Sequence, residues 1–494
     1  MAFEELGATA TKFGQILSTR PDLLPPEYVT ELSRLQDAAP SISFDAVKVV
    51  VEGELGRPLE DAYDSFDPEP LAAASIGQAH AAVLKDGVAV VVKVRRPGIV
   101  DEVREDLEIL QNLAATANRR WEAAARYDLP TLAEEFSATF LDELDYLKEA
   151  RNAERFAADL SDDPWVKVPR IYRELSTSRV LTLERLYGIK VSDPEGLESA
   201  GIDRVQVAER AARMLLEMVF EHGFFHADPH PGNFFIQPDG RIGLIDFGLV
   251  GRVDDRTRED LTSILVALAR QDSRRLADAI IEIGVAAPDD GSRSLEEDLD
   301  ALLAEYYGRS LGEVAIGPLI QRCLSTVRAH RLQLPARLAL LLKTVVMSEG
   351  LGAQLDPDFR LAELMKPYAE RLVLERFSPN VLAHRVGEGL GDLLYLGREL
   401  PGELHRVLRS ASREGVRIAP PREELQKLER RLESARNRVV AAILLTGWII
   451  LLVLVSGFSG VFDGGRWLVP VVSALTLGGL MSGAILLRSR GGPR

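Results

Sequence analysis

The sequence predicts an α+β chain with one sheet-rich lobe and one helical lobe. A helical extension precedes them and two membrane-length helices follow. Three observations predict it. Helical periodicity over residues 1–65 gives way after Leu71 to small residues and a β-branched run. From Pro194 to about residue 370 the pattern is mostly helical again. Finally, residues 439–462 and 467–487 are uncharged and each exceeds the roughly 20 residues that span a bilayer core. A chain of 494 residues is expected to hold two or three folding units. Along the chain the segments are a helical extension (1–65), a sheet-rich lobe with inserted helices (66–190), a helical lobe (191–370), a helical connector (371–438) and a membrane hairpin (439–487).

Each element has its own signal. In the extension, Pro21, Pro25, Pro26 and Pro40 separate helical stretches, and Val47, Val50, Val51 and Leu55 share one face. Next come AAASIGQ, a half-alternating stretch, a Lys85-Asp86-Gly87 turn and VAVVVKV, together the signature of a β-hairpin. Residues 101–125 and 131–158 are predicted helical, and RVLTLERL at 179–186 a strand. Residues 205–223 carry a helical stripe ending at Gly223, a C-terminal capping residue. FFI (234–236) and IGLIDFG (242–248) read as strands on either side of Pro238-Asp239-Gly240. The leucine-rich stretch 257–370 is helical, and 421–438 is a charged helix leading into the apolar pair. Arg436 and Arg438 precede that pair and Arg488, Arg490 and Arg494 follow it, against Arg466 alone in the turn between. The positive-inside rule then sets residues 1–438 on the cytoplasmic side of an inner membrane. A buried hairpin of a soluble protein is the alternative.

Composition removes several function classes. With 59 basic and 75 acidic side chains the net charge is −16, the opposite of a general nucleic-acid binder. Cys323 stands alone, so neither an internal disulfide nor a thiolate zinc site is available, and a reducing cytoplasmic setting fits. In its leucine-rich helical setting it reads as core rather than nucleophile. The N-terminus lacks a basic start followed by an apolar run and does not read as a signal peptide. Gly479 and Gly483 form a G-x-x-x-G spacing that would let two membrane helices pack as a homodimer, although such short matches are common.

The chemistry concentrates in His226-Ala227-Asp228-Pro229-His230-Pro231-Gly232-Asn233 and Asp246-Phe247-Gly248. Phosphoryl transfer from ATP needs a carboxylate to orient the acceptor, an amide oxygen and a second carboxylate for Mg2+, and a lysine on the phosphates. Asp228, Asn233, Asp246 and Lys93 supply all four. The spacing from Asp228 to Asn233 matches the kinase catalytic loop, so the predicted fold class becomes a two-lobed, protein-kinase-like one. Read locally, the same loop residues are also ordinary turn formers. Lys93, in VVVKV, needs an anionic partner, and Glu149 is the candidate. Taken alone, Lys93 reads more readily as an edge-strand lysine. Where a glycine-rich loop would cover the phosphates, Ala73, Ala74, Ser75, Ile76, Gly77 and Gln78 stand instead, a stiffer nucleotide-binding loop. The segment 183–186, with Glu184 and Leu186, would offer backbone groups to adenine as a kinase hinge does.

Lys12-Phe13-Gly14-Gln15, AAASIGQ, Glu143-Leu144-Asp145 before Glu149, HADPHPGN and Asp246-Phe247-Gly248 together resemble the UbiB family of atypical kinase-like proteins over about residues 5–365. The resemblance implies that the helix bearing Lys12 and Gln15 folds over the site toward Glu143 and Asp145, regulating it by keeping protein substrates out. It implies ATP turnover stimulated by membrane lipid and coupled to ubiquinone or other prenyl-lipid metabolism. A prenyl-quinone precursor and enzymes of quinone biosynthesis are then the expected partners, with no nucleic acid. The chain begins almost at the Lys12 motif, without the longer basic segment that the resemblance leads one to expect. HADPHPGN is also similar to the catalytic loop of aminoglycoside and choline phosphotransferases, which favours water or a small-molecule acceptor over a peptide. Two other readings stand beside it: a nucleotide-binding scaffold for membrane enzymes, and a phosphotransferase acting on a soluble alcohol.

Overall fold

The valine run at 90–94 organises the N-lobe because its side chains alternate between two faces. The computed structural model describes residues 8–376, apart from 19, 21, 34, 36–39, 122–127, 271, 285–291, 306–314 and 331. In it, β2 (Gly77–Val83) and β3 (Ala89–Arg95) pair antiparallel across the expected turn, where Gly87 has φ +86°. Val90, Val92 and Val94 are buried against Val47, Val50 and Val51 of the helix Phe44–Leu55. Val91 packs on the other face with Tyr146 and Leu181, and strand alternation puts Lys93 on that face too. The sheet order is β1-β2-β3-β5, where β1 is Ser65–Ala73 and β5 is Val180–Glu184. The sequence pattern does not announce β1. Pro68 and Pro70 interrupt it and its register slips on both sides of Pro70, which only an edge strand tolerates.

The helical extension forms Ala8–Leu17 (α1), Pro26–Ser33 (α2), Phe44–Leu55 (α3) and Leu59–Ala62 (α4). Two helices, α5 (Ile99–Arg120) and α6 (Leu129–Glu143), fill the interval between Lys93 and its partner helix. Phe13 of α1 meets Phe136 of α6 edge-on at 4.9 Å, so the extension packs on these two helices. The single helix expected over 131–158 is two helices. Asp145 ends the first and caps the second, α7 (Tyr146–Asp159), by accepting from the Leu147 N–H at 3.0 Å.

The C-lobe is built around α9 (Arg204–Phe220), which follows a short α8 (Pro194–Ser199) and is capped by Asp203. Val207, Ala211, Met214, Leu215 and Met218 of α9 are buried in the main core. The helix stops before Gly223, which lies beyond the cap at φ +60° and accepts from Val253 N. Short strands frame the His226–Asn233 and Asp246–Gly248 segments: β4 (Val166–Lys167), β6 (Ile189–Lys190), β8 (Phe234–Ile236) and β9 (Ile242–Leu244) in one sheet, and β7 (Phe224–His226) with β10 (Val250–Arg252) in another. The strand expected over 242–248 ends at Leu244, which leaves Asp246 in the following loop.

Six helices complete the lobe: α10 (Asp255–Ala269), α11 (Ser273–Ile283), α12 (Ser292–Glu305), α13 (Ile316–Ala329), α14 (Ala336–Leu355) and α15 (Leu361–Arg376). Among the described residues α14 alone is long and apolar enough to cross a membrane, and its Leu338, Leu341, Leu351 and Leu355 are core residues of this lobe. Cys323 packs against the same core, and burial pushes its thiol up to about 11, well away from nucleophilic chemistry. The charged helix expected at 421–438, the two apolar segments from residue 439 and the Gly479–Gly483 spacing lie outside the described residues.

The result is a kinase-like α+β fold of a sheet-rich N-lobe and a helical C-lobe. Phe156 of α7 pins the site's scaffold to this core, with its ring 4.7 Å from Phe224 and 5.8 Å from Phe247 and no solvent exposure. Phe156→Ala should cost about 3–5 kcal/mol, read as a lower denaturant midpoint.

Candidate active site

A cavity of about 1400 Å³ is walled by the N-lobe sheet, α1, the catalytic loop and α14. Lys93 Nζ is ion-paired with Glu149 on α7. Burial opposes the ammonium, but the Glu149 and Asp246 carboxylates outweigh it, so the lysine's pKa is raised and it stays charged. Burial pushes the Glu149 carboxyl up and Lys93 pulls it part of the way back. Glu149 Oε1 also accepts from Phe247 N at 3.5 Å. The pair thus joins β3, α7 and the Asp246-Phe247-Gly248 loop.

Asp246 Oδ1 accepts from the Gly248 N–H at 2.9 Å. Burial alone would raise its pKa, yet Lys93 and that N–H outweigh burial and hold it below the usual carboxylate value, ionised and ready for a cation. His226, fully buried among Phe156, Phe234 and Phe247, clips the two loops together. Its Nε2 lies 2.6 Å from the Asp246 carbonyl, and its Nδ1 accepts from Asp228 N at 3.2 Å. That pattern requires the neutral ring with the proton on Nε2, and burial lowers its pKa accordingly.

Asn233 Nδ2 donates to the Asp228 carbonyl at 3.1 Å, leaving its amide oxygen for a ligand. The Asp228 carboxylate is 42% exposed toward the cleft, and Lys343 Nζ of α14 lies 3.7 Å from it. Sequence reading missed Lys343. Its one signal was a lysine interrupting LALLLKTVV, a stretch read only as helical and leucine-rich.

The alanine-rich loop is a fastened turn. Ala73 ends β1, Ala74 N donates to Gly77 O at 2.8 Å, and Arg96 Nε donates to Ala74 O at 3.0 Å, while Arg96 N donates to Ile76 O at 2.9 Å. Ser75 is buried, and a Cβ at Gly77 would collide with the Tyr146 hydroxyl and the Val94 carbonyl. The Gln78 side chain is engaged elsewhere, accepting from Ile42 N at 3.0 Å and meeting His80 Nε2 at 2.8 Å. At the expected hinge, Leu183 to Leu186 line the cavity, but the Glu184 carboxylate is held by Lys167 Nζ at 2.7 Å and Arg170 N at 3.1 Å. The Glu184 and Arg185 N–H groups donate to Arg170 O and Ala89 O, so neither is left for a base.

Lys12 on α1 is ion-paired with Glu143 at the end of α6, as the resemblance implied. Its companions behave differently. Gln15 Nε2 donates to Leu35 O at 3.2 Å, and Asp145 serves as the cap of α7 with Arg151 at 3.9 Å. A few residues on, Arg20 Nη2 donates to Leu334 O (3.2 Å), Asp22 accepts from Leu334 N (3.3 Å) and Arg328 Nη1 donates to Leu24 O (2.8 Å). The extension is therefore fastened to both lobes.

The donor set suits a magnesium nucleotide. The ionised Asp246 carboxylate and the Asn233 amide line the same cavity as Lys93, and among the described residues no cluster of three His, Cys, Asp or Glu side chains forms a dedicated metal cage. Mg2+ characteristically takes one or two protein carboxylates and completes its shell with phosphates and water.

Residues 34–280 match the ABC1 atypical kinase-like domain and residues 299–360 the UbiB helical domain. "Probable protein kinase UbiB" of Marinobacter nauticus is 33% identical over 99% of this chain and 90% of its own length. Its namesake in Azotobacter vinelandii is 35% identical over 91% and 82%. Among solved structures, that of the Mycobacterium tuberculosis protein Rv3197 in complex with erythromycin has a TM-score of 0.51 at 25% identity, covering 73% of this chain and 92% of that one. This chain belongs to the ABC1/UbiB family of atypical kinase-like proteins.

His226 makes stability pH-dependent. Its folded pKa is depressed, so as pH falls through about 6.5 the unfolded chain takes up a proton that the folded chain refuses, and stability drops. His226→Gln removes that contribution. Guanidinium titrations at pH 7.5 and 5.5 should show the variant losing less stability on acidification than the wild type, and an equal loss in both would contradict the assignment.

Proposed function

We propose that this chain binds Mg-ATP in the interlobe cavity and transfers the γ-phosphoryl group to water or a small acceptor, at a membrane, in support of ubiquinone or related prenyl-lipid biosynthesis. The observation that carries the reading is the convergence on one cavity of the Lys93–Glu149 pair, Asp228, Asn233 and Asp246. A purely organising scaffold has no chemical need for that full set.

In this reading Lys93 contacts the phosphates and Glu149 keeps it extended and charged. Asp246 and Asn233 hold the magnesium ion, which supplies charge neutralisation across the phosphate oxygens. Asp228 orients the attacking oxygen and accepts its proton. The Lys12–Glu143 pair lines the cavity, and if it closes the side where a protein kinase admits its peptide, as the resemblance implies, water or a small molecule is the favoured acceptor. The uncharged segments 439–462 and 467–487 would anchor residues 1–438 to the cytoplasmic face of the inner membrane, close to prenyl-quinone precursors and the enzymes that process them.

The test is Mg2+-dependent phosphate release from ATP by the full chain, with and without anionic liposomes containing a quinone-like phenol. Stimulation by the vesicles is expected, with a loss of about 10²–10⁴-fold in Asp228→Asn. Wild-type rates in that variant, or tight ATP binding without turnover under every condition, would leave the scaffold reading in its place.

A further inference from the structure

The catalytic loop His226–Asn233 contains no lysine or arginine, yet its acceptor-orienting carboxylate has a cation beside it. Lys343 reaches Asp228 from α14, within the segment that matches the UbiB helical domain rather than the kinase-like one. Its side chain is 15% exposed and lines the same cavity as Lys93 and Asp246. The residues after it, Thr344 and Val345, are buried, so the helix surface leaves the core at this position and the lysine stem crosses into the cleft. A nearly buried ammonium is costly unless an anion faces it. Asp228 is one such anion. It is more than twice as exposed as Lys343, so the pair opens toward the space a terminal phosphoryl group would occupy. Burial disfavours the charge on Lys343 and lowers its pKa, Asp228 favours the charge, and Lys12, which faces the same region, adds a smaller opposing push.

We propose that Lys343 is a catalytic cation supplied by the helical domain, bridging Asp228 and the transferring phosphoryl group. The proposal rests on the phosphoryl-transfer reading above and adds the residue that meets the charge developing at the γ-phosphorus. As the acceptor oxygen bonds to that phosphorus, the bond from phosphorus to the β–γ bridging oxygen breaks and its electron pair leaves with ADP. The acceptor's proton passes to Asp228. Lys343 keeps its own proton and offers its charge to the non-bridging γ-oxygens, in the way preorganised cations stabilise phosphoryl transfer. The kinase-like domain alone would then bind nucleotide while lacking a member of its own site.

The experiment compares full-length wild type, Lys343→Gln, Lys343→Arg, Asp228→Asn and the Asp228→Asn/Lys343→Gln double variant. Affinity for MgADP is measured with and without tetrafluoroaluminate, alongside ATP turnover. MgADP affinity should stay within about twofold in Lys343→Gln, which also verifies folding. The preference for the tetrafluoroaluminate complex and kcat should each fall about a hundredfold, with KM for ATP little changed and part of the loss restored by Lys343→Arg. In the double variant no charge is left unpaired, so folding is protected. There the analogue preference should fall below that of Asp228→Asn alone, because a lysine that served only to pair with Asp228 would be dispensable once the carboxylate is gone. Unchanged preference and kcat in Lys343→Gln, or no added loss in the double variant, overturns the role of Lys343 and leaves the proposed function intact. A wild-type protein that binds the tetrafluoroaluminate complex no tighter than MgADP overturns both.

Discussion

The Lys93–Glu149 pair, with its carboxylate buried and its ammonium half-buried, is the constraint around which the site is arranged. A charge removed from water must be answered by an opposite charge and by hydrogen bonds, and stranding one partner of such a pair costs about 3–5 kcal/mol. Here the answer comes from three parts of the chain: β3 supplies the lysine, α7 the carboxylate and the Phe247 backbone a further N–H. Lys93 faces the cleft because its valine neighbours bury the other face of the strand. Glu149 faces Lys93 because α7 is capped at Asp145, anchored by Phe156 and turned by Tyr146. Satisfying one electrostatic demand therefore ties together the sheet, the helix and the Asp246–Gly248 loop.

A second layer of polar bonds carries that order into the C-lobe. His226 ties the backbone of Asp246 to that of Asp228, and Asn233 returns a bond to Asp228, so the three groups read as phosphoryl-transfer residues are coupled through main chain rather than through each other's functional atoms. The amide oxygen of Asn233 is left for a ligand, and the Asp228 carboxylate keeps its exposed face beside Lys343. This is the economy expected of a preorganised site, where supporting bonds consume backbone groups and spare the reactive ones.

Legibility in the sequence followed the range of the interactions. The β2–β3 hairpin, the orientation of Lys93 and the Asp228-to-Asn233 loop depend on neighbours within a few residues, and local pattern was enough to read them. The resemblance carried the Lys12–Glu143 contact, which no local pattern shows. Strand β1 was obscured by two prolines that an edge position tolerates, and the break between α6 and α7 was hidden because Leu144 continues the apolar stripe while Asp145 interrupts it only by capping. Strands of three residues such as β7 and β10 are too short to establish a period. Lys343 and the bonds of Arg20 and Asp22 to Leu334 escaped for a different reason, since their partners lie more than a hundred positions away. A lysine in a leucine-rich helix says only that the helix has a polar flank, and nothing in its surroundings names the carboxylate it will meet.

The extension's attachment to both lobes has a mechanical consequence. Lys12 fixes α1 to the end of α6 on the sheet-rich side, and a short span later Arg20 and Asp22 grip the backbone just ahead of α14 on the helical side. Arg20 Nη1 also lies 3.5 Å from Glu135 of α6, so the end of α1 and the turn after it touch both walls of the cleft at once. Separating the two walls would therefore require breaking bonds at this segment, which makes a stretch outside both lobes a brace between them.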